Sequence, residues 1–151
     1  MSKSVLVSIR PKWCKEIACG AKNVEIRKTR PAKKTPFKVY IYRTMPNFWN
    51  REPGDGMVIG EFNCDRIEYL DMDSVGLGFW KDNDFIYLKD IGWNTKVSRQ
   101  NLLRYSKGER VYGWHISDLV IYDKPRELSE FYCRKQLFHP PMSWCYVEEM
   151  K

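Results

Sequence analysis

Two long runs, MVIGEFNCDRIEYL (57–70) and RVYGWHISDLVIY (110–122), constrain the fold more than any other feature of this chain. Both are rich in β-branched and aromatic residues and read as long strands, the first entered through a sharp Pro53-Gly-Asp-Gly56 reversal. Shorter strands are expected at SVLVSI (4–9), KNVEIRK (22–28), FKVYIYRT (37–44) and SWCYVEE (143–149). A helix opens on Pro11, whose missing N–H costs nothing at a first helical position, and closes on Gly20 as a left-handed cap. A second helix, RQNLLRYS, is capped by Ser98 and ended by Gly108. MPNFWNREPGDG (45–56) is turn-rich, 71–94 reads as irregular, and KPRELSEFY (124–132) reads as a turn leading into a helical turn. Five or six strands with two short helices predict an α+β fold, a small mixed β-barrel whose ends the helices plug.

The chain of 151 residues suits one domain, 1–151, with no internal repeat, low-complexity segment or linker. Its 43% hydrophobic and 30% charged residues are a globular composition. No run is long and apolar enough for a membrane span, and the first residues lack a secretory cleavage pattern. Five cysteines without a Cys-x-x-Cys pair favour free thiols in a reducing cytosol, so a cytoplasmic location is expected. Cys133, His139 and Cys145 have five residues in each gap, a weak zinc spacing, and neither a metal nor another cofactor is expected.

The net charge of +7 is segregated. Residues 1–34 carry ten Lys/Arg against two Glu, whereas 61–90 carry three against eight acids. One strongly basic end favours a polyanionic partner.

The basic end contains GAKNVEIRK (20–28). Strand alternation puts Glu25 and Arg27 on one face and Val24 and Ile26 on the other, with Lys22 just after the helix cap. Two cations flanking a carboxylate form either a surface ion pair or a site that binds a phosphate and a base edge together. Arg10 and Lys12 stand at the start of the first helix, where free N–H groups favour anions. Trp13 shares a face with Ile17 and is expected in the core. His115 shares a strand face with Ser117, but no Ser/His/Asp order points to a hydrolase triad, and a lone strand histidine is more often structural. Of the 15% aromatic residues, an exposed few would stack on bases.

The stretch SIRPKWCKEIACGAKNVEIRK resembles the ASCH domain signature: a strand, a proline-led helix, then Gly-x-Lys-x-x-Glu-x-Arg. FKVYIYRT, VIGEF, GWHISDLVIYDKPRELSEF and PPMSWCYVEE extend the resemblance over nearly the whole chain, toward a subgroup common in phages, prophages and Firmicutes. It implies a PUA-like barrel with a cleft lined by Lys22, Glu25 and Arg27, and binding of RNA or a modified nucleotide. One similar branch hydrolyses N4-acetylcytidine with the motif lysine, a threonine three residues later and a distant glutamate. Lys22 matches that lysine, but Glu25 holds the threonine position.

Three functions are therefore expected in competition. In the first, a binding module for RNA or a modified nucleotide, Arg10, Lys12, Lys22, Arg27 and His115 contact the ligand and Glu25 accepts from a base amino group or holds Arg27. In the second, a ribonuclease or amidohydrolase, Lys22 and Glu25 are catalytic proton-transfer groups. In the third, a protein partner docks on the acidic 61–90 segment. An ionised Glu25 is expected to keep Lys22 protonated, and Arg27→Ala to leave the thermal midpoint nearly unchanged.

Overall fold

The computed structural model describes residues 3–46 and 54–150. Much of the turn expected over 45–56 lies outside the described residues. The strands of the barrel are β1 (Lys3–Ile9), β2 (Val24–Arg27), β3 (Phe37–Arg43) and β4 (Met57–Met72). A hairpin, β5 (Leu77–Lys81) and β6 (Asp84–Tyr87), follows, then the long β7 (Val111–Glu127). The two-residue strands β8 (Tyr132–Cys133) and β9 (Lys135–Gln136) form a small separate hairpin, and β10 (Trp144–Glu148) is the last strand. The helices are α1 (Pro11–Ala18), between β1 and β2, and α2 (Arg99–Ser106), before β7.

The main sheet runs β10-β1-β3-β4-β7-β2, with β1 and β3 parallel and the other neighbours antiparallel. Register shifts along β4 and β7 between Val58 and Gly60, Glu61 and Asn63, and Cys64 and Ile67 mark bulges. Bulges bend and twist a long strand, which lets these two coil with the sheet. The edges β2 and β10 are then tied by side chains. Arg27 of β2 donates through Nη2 to Ser8 O of β1 (2.6 Å) and through Nη1 to Ser143 Oγ (3.3 Å). Trp144 Nε1 donates to Thr29 Oγ1 (2.9 Å), and Ala32 N to the Tyr146 hydroxyl (2.8 Å). The result is the mixed β-barrel expected, with two α-helices.

Alternation along β1 explains its central place. Val5, Val7 and Ile9 face the interior with Val39, Ile41, Phe62 and Trp114, and α1 closes one end with Cys14 and Ile17. Leu6 faces outward into a second layer with Tyr40, Tyr42, Leu128, Phe131 and Val147. A third cluster joins Val24 and Ile26 to Leu70, Phe79, Leu88, Trp93 and Leu102, beneath the β5–β6 hairpin and α2. Packing at Gly113 of β7 is close, since a Cβ there would stand 2.8 Å from Leu70 Cδ1 and 3.1 Å from Val24 Cγ1 and both side chains would have to shift.

Several expectations change. Residues 71–94 are not irregular, because Asp82-Asn83 is the two-residue turn of a hairpin whose Phe79 and Ile86, and Trp80 and Phe85, stand opposite each other. The strand expected over 22–28 is paired only at 24–27. The one expected to end at Tyr122 runs on to Glu127 and then enters a 3₁₀ turn, Leu128–Glu130. Trp13 is half-buried at the edge of the core rather than within it.

Candidate nucleotide-binding cleft

The turn from α1 into β2 builds the site. Gly20 adopts φ +83°, Cys19 N and Gly20 N bond back to Lys15 O and Ile17 O, and Lys22 N bonds to Glu16 O. This tight reversal lays β2 beside α1, so Arg10, Lys12 and Trp13 form one wall and Glu25 and Arg27 the floor of a cleft of about 640 Å³. Asn101, Leu102, Arg104 and Tyr105 of α2 form the facing wall, and Met142 stands at the rim. The Glu25 carboxylate and the Arg27 guanidinium lie on the side of β2 shared with Trp114 and Tyr112 of β7, their cross-strand partners.

Lys22 is 2% exposed. Its Nζ donates to Thr95 O at 2.6 Å, lies 5.0 Å from the centroid of the Trp13 ring and is 3.9 Å from Glu25 Oε1. Burial holds its pKa below the ordinary lysine value. Glu25 and Glu16 oppose the shift and Arg27 adds to it, but the outcome is downward. Glu25 pulls in the expected direction, toward the charged amine, but desolvation exceeds the pull of a carboxylate 3.9 Å away, and the closest partner of Nζ is the neutral carbonyl of Thr95.

Glu25, 5% exposed, uses Oε1 to accept from Ile26 N (3.0 Å). Its Oε2 is buried and has no hydrogen-bond partner among the described residues, and the same holds for Arg27 Nε and Trp114 Nε1. A buried polar atom left unpaired costs about 1–3 kcal/mol, so the cleft floor holds an unmet acceptor and an unmet donor two residues apart on one face of β2. Both terminal nitrogens of Arg27 are engaged by the barrel seam.

Five of the residues expected at the site, Arg10, Lys12, Lys22, Glu25 and Arg27, line this one cleft. His115 does not. It pairs across strands with Val24, and therefore emerges on the side of the sheet opposite Glu25. There its ring stacks on Trp93 (4.7 Å) and its Nδ1 lies 2.8 Å from Asp65 Oδ1. Asn101, Arg104, Tyr105 and the Thr95 carbonyl were not anticipated, since only the folded barrel brings them to β2. Among the described residues, no group of three His, Cys, Asp or Glu could hold a metal ion.

A larger hollow, about 790 Å³, lies on the other side of α1 against Pro11, Ala18, Ile59 and Ile121. Its Arg43 and Asp55 already pair at 2.5 Å, and among the described residues none that carries an orphaned buried atom lines it. The unpaired buried atoms of Glu25 and Arg27 belong to residues of the smaller cleft, which makes it the candidate site.

No family model matches the sequence, and no curated protein sequence matches it. Solved structures do. A tyrosine-to-phenylalanine variant of the ASCH protein of Zymomonas mobilis superposes with a TM-score of 0.69 at 22% identity, over 98% of this chain and 92% of that one. A serine-to-alanine variant gives 0.68 at 21% identity over 97% and 89%, and the Z. mobilis ASCH structure itself 0.68 at 22% over 97% and 88%. The barrel with its two helices is thus the fold of an ASCH domain.

Proposed function

We propose that this is a cytosolic nucleic-acid- or modified-nucleotide-binding domain of the ASCH family, in the subgroup common in phages and Firmicutes, and that it takes a nucleotide unit of RNA in the α1–β2–α2 cleft. One observation carries the reading: Glu25 and Arg27, whose buried Oε2 and Nε have no partner among the described residues, both line a cleft walled by an aromatic ring. A base edge offering an amino group and an adjacent ring acceptor would satisfy both, and a base against Trp13 gains about 1–3 kcal/mol of stacking. Arg10, Lys12 and Arg104 around the opening supply charge for phosphate. His115, on the other side of the sheet, takes no contact in this arrangement.

The test is calorimetric titration with single-stranded RNA at about 50 and 200 mM salt, a range over which phosphate-led binding falls steeply. Glu25→Gln keeps the shape of the cleft but removes one acceptor oxygen and the charge. It is expected to weaken binding at least tenfold at both salt concentrations. Parent-like affinity would remove the cleft from consideration.

The lowered pKa of Lys22 favours a second reading, a hydrolase in the same cleft. A neutral amine there would take a proton from an attacking water and return it to a leaving group. The hydroxyl that the acetylcytidine-cleaving branch uses is missing at Glu25, so no turnover of N4-acetylcytidine is expected. Turnover that disappears in Lys22→Met would establish the hydrolase instead.

A further inference from the structure

The basic segment Lys28-Thr-Arg-Pro-Ala-Lys-Lys34 leaves the cleft directly, since Arg27 lines the floor and Lys28 is the next residue. It contains no acid, and Lys28, Lys33 and Lys34 make no ion pair among the described residues. A solvated basic loop would ordinarily carry its charges on a wandering backbone. This one is fixed at four places. Thr29 accepts from Trp144 Nε1, Ala32 N donates to Tyr146, Pro31 is buried, and the Arg30 side chain folds back to the carbonyls of Pro31 (3.3 Å) and Lys33 (3.0 Å). Arg30 is thereby spent on holding the loop's shape, while Lys34 is exposed and Lys33 half-exposed. At the cleft end, Lys28 Nζ lies 4.8 Å from the ring centroid of Tyr105, which itself lines the cleft.

Aromatic and cation are thus continuous from the cleft onto a rigid, unneutralised strip, the combination that tracks a single strand. Resting on the cleft reading above, we propose that loop 28–34 is a preorganised track for the strand flanking the nucleotide in the cleft, so that the ligand is a single-stranded nucleic acid and not a free nucleotide. A pinned loop loses little conformational freedom on binding, which makes its charges more effective than those of a mobile tail.

The probes are the four nucleoside 5′-monophosphates, an RNA dodecamer and phosphatidylserine vesicles, each titrated against the parent, Lys33→Ala/Lys34→Ala and Glu25→Gln. The parent is expected to bind the dodecamer far more tightly than any monophosphate. The double variant should lose dodecamer affinity, with a salt slope shallower by about 1.4 because each single-strand phosphate contact contributes about 0.7. Its monophosphate affinity and thermal midpoint should stay at parent values. Parent-like dodecamer binding by the double variant would overturn the track and leave the cleft reading intact. Glu25→Gln without effect on either ligand would sink the cleft reading instead. A double variant that loses vesicle binding but keeps the dodecamer would assign the strip to an anionic membrane surface and overturn the proposal.

Discussion

Lys22 links the cleft to pH. Its folded pKa lies below the unfolded one, so between the two values the unfolded chain binds more protons and stability rises with pH. The destabilisation is full below the folded pKa and is relieved as pH climbs toward about 10.4, the free lysine value. Lys22→Met has no such dependence. The difference between parent and variant thermal midpoints is therefore expected to move in the parent's favour from about pH 7 to pH 10. A constant difference would mean that Lys22 titrates alike in both states. Thiols report burial in the same way. Desolvation pushes Cys64 up to about 12 and Cys145 up to about 11, whereas Cys19 is exposed at the end of α1. Maleimide labelling of the native protein followed by mass spectrometry should modify Cys19 first and reach Cys64 only on unfolding.

Helix α2 supplies one wall of the cleft and depends on its first turn. Ser98 Oγ accepts from Asn101 N at 3.1 Å, a cap worth about 1 kcal/mol. Ser98→Ala is expected to lower stability by about that much in chemical denaturation and to raise hydrogen exchange across 99–106. This cap was legible, as were the Gly20 reversal and both long strands, because each rests on contacts within a few residues. The β5–β6 hairpin had its signal too, two polar turn residues between aromatic runs, but the aspartates and glycines around it masked the alternation. Within the cleft, the spacing of Lys22, Glu25 and Arg27 could be read along the chain. The Thr95 carbonyl and the face of α2 could not, for they are brought to β2 by contacts between segments far apart in the chain, Asn23 with Gly92 and Asn94, and Leu102 with Val24 and Ile26. Nor could the sign of the Lys22 shift, since burial on that scale is a property of the assembled barrel.

At the scale of the molecule Arg27 is a clasp. Its two terminal nitrogens join β2 to β1 and to the residue before β10, so the same side chain lines the cleft and holds the barrel shut. Hydrogen bonds to a charged group contribute about 1.5–3 kcal/mol each. Arg27→Ala is therefore expected to lower the thermal midpoint clearly, in contrast to the neutral effect inferred from sequence, and an unchanged midpoint would show the seam to be held by other bonds. A similar interdependence governs β1. It pairs with β3 on one side and β10 on the other, with Lys3 opposite Glu148. Its SVLVSI core is buried on both faces only in the finished barrel. During synthesis at about 5–20 residues per second, the roughly 135 residues separating β1 from β10 take on the order of ten seconds to appear. Throughout that interval the most apolar, β-prone segment of the protein has one unpaired edge, the kind of template on which nascent chains aggregate. The strand that organises the native barrel is thus also the one that most needs shelter while the ribosome is still at work.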